Sequence, residues 1–537
     1  MTLMNLGNTA SEQQEPQIDR FAGSGRAGQE KSLSVFFGYI KDCEREIRAL
    51  KHHEAHLNER TNTVANIRVV GITLIIVLAI NQLAMIVLAR ILGPGDFGTY
   101  AICLVFISLL TNASIFGLDS AVIHRQTDTD RAVESASAIR FILSLSFAGL
   151  LFLAAPFIAR VVATHELVAP LQVSGIAMII AAFGFDTSVR LSKELQFKAV
   201  SIVKAANMAV WTATSVGLAY LGFRFWSLLV AYIAGQVAIA TVLWVIRPWR
   251  LPRRIDTRIA RELLRYGIFP LGTSLLAFLV WNFDKLAVGA VLASSALLGA
   301  YYIAFSYGTI IPNLFTGITS TVMFPTFSKI QTDLAGLRER YLKTLKYISY
   351  ISIPAGVGLA VVSRTFVLGV LGSAWSEAVI PLGIFAFVGI VSSLTSPAGS
   401  IFLATGHPDR MFRQTLVMSV PYFVFLVPAI YYFKLVGVAG LFLLVSLGSL
   451  IWVLMMVADI LQFSLLDELK MLTVPAGASA AMAAITFAIG HFLGPSMLSV
   501  AIQVFIAIPV YFSCVVIMTE GKVVIEAKDL LASARKK

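Results

Sequence analysis

Nine ionisable side chains fall inside or against long apolar runs, and they are the first candidates for chemistry: Arg90, Asp119, Arg140, Asp186, Arg190, Lys204, Asp284, Lys285 and Arg364. A charge held in hydrocarbon is costly, so such groups persist where an anion, a proton or a partner charge needs them. Asp186 and Arg190 are four residues apart, a spacing at which a helix pairs them. Arg90 and Asp119 bound two successive apolar runs, and Asp284 and Lys285 close another. Asn81, Gln236 and Asn313 add polar capacity inside apolar runs, although hydrogen bonds between helices explain them equally well.

Motifs for covalent chemistry fail on inspection. Gly23-Ser24-Gly25-Arg26-Ala27-Gly28 has the spacing of a dinucleotide-binding glycine loop, but neither a strand before it nor a helix behind it is readable. His52, His53, Glu54 and His56 stand in the wrong order for a zinc-protease helix, whose two imidazoles must flank the glutamate as H-E-x-x-H. No phosphate-binding loop ending in Gly-Lys-Ser/Thr is present. Cys43, Cys103 and Cys514 have no metal or disulfide spacing. The expectation is therefore no catalytic residue, no metal and no cofactor.

The elements that must position the nine candidates are set by composition. The chain is 57% hydrophobic and only 13% charged over 537 residues, against about 45–50% and 25% in soluble domains. A bilayer core of about 30 Å needs some twenty apolar residues per helix, and such stretches recur along the chain. The reading is all-α: a polytopic membrane protein of about fourteen transmembrane helices, in two related lobes plus two extra C-terminal helices. The first six span roughly 69–89, 99–118, 141–162, 168–187, 200–221 and 226–246. The next eight span roughly 267–283, 301–324, 345–371, 378–403, 416–433, 437–461, 472–492 and 496–518. Pro312, Pro354, Pro397 and Pro421 fall within them and predict kinks.

A net charge of +12 would suit nucleic acid, but its distribution argues for a membrane. With the N-terminus inside, all but six of the 42 Lys and Arg lie on the inner side. The six are Arg90, Arg160, Arg224, Lys285, Arg364 and Lys434. Such a bias places both termini in the cytoplasm. The boundaries follow: a cytoplasmic segment 1–67, an N-lobe 68–246, a basic linker 247–265, a C-lobe 266–461, the added helices 462–518 and a tail 519–537. In the first segment Phe36, Ile40, Cys43, Ile47, Leu50 and Leu57 predict an amphipathic helix over 33–58, against the membrane surface or a partner. No cleavable signal peptide is predicted, so the first hydrophobic helix serves as the targeting signal. The outer loops are short, which disfavours a glycan polymerase with an external catalytic loop.

Several segments resemble one family. Leu88-Ala89-Arg90-Ile91-Leu92-Gly93-Pro94-Gly95-Asp96-Phe97-Gly98-Thr99-Tyr100 is similar to the opening of the polysaccharide transporters, the Wzx-type flippases of the multidrug/oligosaccharidyl-lipid/polysaccharide exporter superfamily. Leu191 to Phe197, Asn282 to Lys285, Phe324 to Gln331 and Leu403 to Arg410 resemble that family's loops. The resemblance implies two rocking lobes in a bacterial inner membrane, moving a polyprenyl-pyrophosphate-linked oligosaccharide to the outer leaflet, with membrane lipids and other polysaccharide assembly proteins as partners. Lys204 and Arg140 lie deepest from the inner face and are expected to meet the pyrophosphate. Arg90 to Tyr100 and Lys285 to Tyr301 each run from a basic residue into Gly-x-Tyr, a trace of duplication about an axis along the membrane normal. Two rivals are weighed: a multidrug antiporter, which needs a buried acid in mid-helix, and a structural component of the export complex.

Overall fold

Helix starts are set by side chains that take up backbone N–H groups left without a partner in the first turn. The Asp256 carboxylate accepts from Arg258 (3.0 Å) and Ile259 (3.2 Å), Ser294 from Leu297 (3.3 Å), Asp333 from Gly336 (3.0 Å) and Ser496 from Ser499 (3.0 Å). At Gly93-Pro94 the proline sits in the first helical turn, where no hydrogen bond is lost.

The computed structural model describes residues 76–525 apart from 126, 163–164, 195, 249–254, 319–322, 329 and 524. The expected helix at 33–58, the glycine motif at 23–28 and the histidines at 52–56 lie outside the described residues. Among the described residues every regular element is helical. In chain order they are α1 (Ile76–Ile91), α2 (Pro94–Ile115), α3 (Leu118–His124), α4 (Thr129–Val161), α5 (Val168–Phe183), α6 (Phe185–Lys193), α7 (Phe197–Tyr220) and α8 (Phe225–Ile246). The second half follows with α9 (Thr257–Leu292), α10 (Ser295–Gly308), α11 (Ile310–Ile318), α12 (Phe324–Ser328), α13 (Leu334–Thr365), α14 (Val379–Ala404), α15 (Pro408–Leu461), α16 (Leu465–Leu493) and α17 (Met497–Met518).

Nine described helices are long and apolar enough to cross a membrane, or ten when α5 and α6, bent by 46°, count as one. Their outward faces carry large apolar side chains such as Phe492, Phe505, Leu153 and Ile517. In water such a surface would drive aggregation; in lipid it meets its own solvent. The chain is a multi-pass membrane protein.

Several boundaries differ from the sequence expectation. α9 begins at Thr257, inside the expected linker, because Ile259, Ala260 and Leu263 are buried against Leu118, Val133 and Ala136. It also runs on to Leu292, so Asp284 and Lys285, expected at a helix end and in an outer loop, lie inside it and are buried. The expected span 301–324 starts earlier, at Ser295, and breaks at Thr309. α15 runs through two expected spans, with Lys434 (φ 49°, ψ −134°) marking the kink between them.

One apolar core joins both halves of the chain, with Leu88, Phe97 and Tyr100 packed in the same cluster as Tyr301, Trp375, Phe385 and Phe442. Two further clusters lie towards the opposite end. One holds Leu118, Ile139, Phe185 and Leu263, the other Phe327, Tyr341, Phe402 and Val457. The added helices α16 and α17 dock on α13 through a buried amide: Gln503 donates to the Thr486 carbonyl (3.0 Å) and accepts from the Thr365 hydroxyl (2.7 Å).

Candidate translocation site

The two Gly-x-Tyr copies meet each other. A Cβ at Gly98 would overlap the Ser295 carbonyl, and one at Gly299 would overlap the Pro94 carbonyl. Ser295 precedes Gly299 by four residues, as Pro94 precedes Gly98, so the contact is reciprocal and α2 and α10 cross as equivalent helices. Only glycine lets two backbones approach so closely. The same end is fastened twice more. The Trp375 indole donates to the Ala89 carbonyl (3.0 Å) while its ring meets Phe97 edge-on (5.2 Å between centroids). The Arg90 guanidinium donates to the carbonyls of Gly369 and Val370, in the wide turn Phe366–Leu371 that follows α13. Arg90, a candidate for substrate contact, is thus a strut between the two halves. Nearby, Asp96 was missed by the sequence reading: it accepts from the Gly93 N–H (3.3 Å) and pairs with Arg224 (3.3 Å).

Within the second half, Asp284 is fully buried. Its carboxylate accepts from the Tyr301 hydroxyl and from the Lys285 backbone N–H (2.8 Å), with the Lys285 Nζ 3.4 Å away. That ammonium also donates to the Trp281 carbonyl (2.8 Å) and sits 4.1 Å from the Phe305 ring centroid. A buried acid in mid-helix is what the antiporter reading requires, and Asp284 is one. Its charge, however, already faces that of Lys285.

The remaining candidates do not converge. Arg190 binds Asp186 (2.5 Å) and Asp130, tying α6 to α4 at the basic end. Arg140 lies in α4 with its guanidinium 4.7 Å from the Phe185 ring centroid, its Nε without a hydrogen-bond partner, and Asp119 close enough to interact electrostatically. Lys204 is exposed on α7, which packs on α8 and α6, whereas Arg140 lies on α4, which packs chiefly on α5, α2 and α9 and also touches α6. Arg364 is exposed near the end of α13.

The sequence reading also missed a cavity of about 710 Å³ between α9, α10, α11, α14 and α15. It reaches from Trp281 and Phe305 to Leu403 and Met411, beside the α14–α15 turn at the basic end. The signal was Asn313 and the run of serines and threonines in 392–400, which pass as ordinary helix polarity until α15 folds back over them. Among the described residues no cluster of His, Cys, Asp and Glu suits a metal ion.

The profile of a family described as "Polysaccharide biosynthesis protein" matches residues 87–380. The chain is similar to the lipopolysaccharide biosynthesis protein WzxC of Escherichia coli (strain K12), with 25% identity covering 81% of this chain and 89% of WzxC. It is also similar to the teichuronic acid biosynthesis protein TuaB of Bacillus subtilis (strain 168), with 26% identity covering 72% and 81%. In fold it is similar to the lipid II flippase MurJ in an inward closed conformation, with a TM-score of 0.68, 15% identity and coverage of 84% and 99%. An inward-facing MATE-family multidrug resistance transporter of the MOP superfamily gives a TM-score of 0.57, 13% identity and coverage of 72% and 96%.

Proposed function

Because the chain belongs to the polysaccharide biosynthesis protein family, we propose that it is a flippase carrying a polyprenyl-pyrophosphate-linked oligosaccharide from the cytoplasmic to the outer leaflet of a bacterial inner membrane. Membership of that family carries the reading, since the names of similar proteins, WzxC and TuaB, are those of surface-polysaccharide biosynthesis. The energetic need is plain: each sugar hydroxyl taken unpartnered into hydrocarbon costs about 2–7 kcal/mol, so the head group needs a polar route while its tail stays in lipid. The task asks for no covalent step.

We place the basic end and both termini in the cytoplasm, following the positive-inside rule. We divide the bundle into lobes at 68–246 and 266–461, with 247–265 as linker, 462–518 as added helices and 519–537 as tail. The fastened Arg90 end then closes the outer side, which supports a conformation ready to load from within. Arg140 and Lys204 are our candidates for the pyrophosphate, Arg140 because a guanidinium with a free Nε suits a phosphate oxygen. The pairing of Asp284 with Lys285 favours the flippase over a cation antiporter.

The test is a deletion strain of the source bacterium. Lipid-linked repeats should accumulate there and stay out of reach of a glycosidase added outside the membrane. Their arrival on the outer leaflet at the normal rate would sink the reading.

A further inference from the structure

We infer that the cavity between α9, α10, α11, α14 and α15 is a binding site for uncharged sugar rings, an assignment that rests on the lipid-linked oligosaccharide reading. Its lining is the reason. Half of the lining residues carry a hydroxyl or carboxamide, and none of the described ones carries a charge. A prenyl tail would want an apolar wall, and a drug cation or a pyrophosphate would want opposite charge. A pyranose asks for what is present, namely many donors and acceptors together with an aromatic ring, that of Trp281, for its C–H groups.

The individual groups are poised for a ligand. Ser446 is 4% exposed, lines the cavity, and its hydroxyl has no hydrogen-bond partner. Leaving a buried hydroxyl unsatisfied is unfavourable, and a sugar hydroxyl would satisfy it. The hydroxyls of Thr309, Thr395 and Thr415 donate to carbonyls of their own helices (2.8, 3.1 and 3.1 Å), which leaves their oxygens able to accept from a ligand. The Gln414 amide lies half-buried on the wall, and Trp281 and Phe305 add aromatic surface to it.

Size and access agree. Sites for small ligands run to about 300–1,000 Å³, and 710 Å³ lies inside that range. The stretch from Val391 to Leu403 along α14 spans about 18 Å of helix at 1.5 Å per residue, long enough for a short run of rings to lie end-on. Leu403 and Met411 at the mouth are exposed, on the side that loads the substrate in the proposed orientation.

The experiment uses the purified full-length protein in detergent. The probe is the repeat oligosaccharide released from its lipid by mild acid, and binding is read by saturation-transfer NMR and calorimetry. Gln414→Leu and Ser446→Leu should each weaken binding by about tenfold or more, with size-exclusion profile and melting temperature unchanged, and excess inorganic pyrophosphate should leave the sugar bound. If Ser446→Leu does not fold, the half-buried Gln414→Leu decides alone. Absence of sugar binding by the wild-type protein, wild-type affinity in the folded variants, or displacement by pyrophosphate would each overturn the assignment. Transport of the intact lipid-linked molecule is measured separately in proteoliposomes. Sugar binding that depends on Gln414 without transport would retain the cavity site and discard the flippase reading.

Discussion

At the end carrying Arg90 the two halves of the chain meet backbone against backbone. At the basic end, by contrast, Arg190 with Asp186 and Asp130, Arg247 with Glu194, and Arg410 with Asp459 each stay inside one half, and it is the start of α9 that reaches across, through Arg125 with Glu262 and through Gly267 against the Phe116 carbonyl. The difference is one of material. Contacts through Gly98, Gly299 and the buried Trp375 have a single geometry and are lost abruptly when the helices part. A half-exposed ion pair such as Arg247 with Glu194 is worth about 0–1 kcal/mol and re-forms with new partners or water. A carrier that opens to each side in turn needs a latch that is definite yet breakable, and this one is made of packing and of hydrogen bonds to backbone carbonyls rather than of ion pairs between the halves.

The largest effect should come from spoiling the reciprocal crossing. Gly98→Leu and Gly299→Leu each drive a side chain into the facing carbonyl, so both should abolish transport, and to the same degree because the contact is symmetric. Ala89 is 2% exposed; with the three native cysteines replaced by serine, a cysteine at 89 should resist a membrane-impermeant maleimide. Either leucine should open it to labelling. Continued protection with normal transport would show that this end is not the latch, and unequal loss in the two variants would break the symmetry argument.

This crossing was half legible in the sequence. The two Gly-x-Tyr segments stood out as copies, since a glycine at the same offset from a helix start is a local signal. That each would pack on the other could not be read, because it depends on how the two halves assemble. The fold class was legible throughout, since apolar runs of membrane length have one solution in lipid. The ends of those runs were less so. Asp284 and Lys285 looked like a stop because hydropathy falls there, yet each neutralises the other and the helix continues. The cavity was invisible, for its serines and threonines look alike whether they face a neighbouring helix or a void.

A smaller effect separates packing from hydrogen bonding at the latch. Trp375→Ala should lower stability by about 3–5 kcal/mol, the usual cost of emptying a site of that size. Trp375→Phe keeps most of the volume and loses only the donor to Ala89, at about 1–3 kcal/mol. At the other end Arg410→Ala, which removes a pair with a largely exposed Asp459 and a hydrogen bond to the Met456 carbonyl (2.9 Å), should cost about 1–2 kcal/mol. Thermal melting in detergent orders the three. A melting temperature for Arg410→Ala as low as that of Trp375→Ala would reverse the contrast between the ends.

The smallest effect concerns pH and belongs to the basic end alone. Glu262 accepts from Arg125 (2.8 Å) and from Arg258 (3.3 Å), and Arg125 above all holds its carboxyl below the usual carboxylate range. A carboxylate whose folded pKa is depressed binds fewer protons in the folded state than in the unfolded one. Its contribution is therefore complete above the unfolded value of about 4.3 and is lost as pH falls through the lower folded value. Glu262→Gln should accordingly melt slightly below the wild type at neutral pH, and the gap should close in acid below about pH 4. The Trp375 variants carry no such titration and should keep their deficit across the same range. A Glu262→Gln deficit that persisted in acid would mean that the side chain acts through packing, and the two ends would then differ less than their geometry implies.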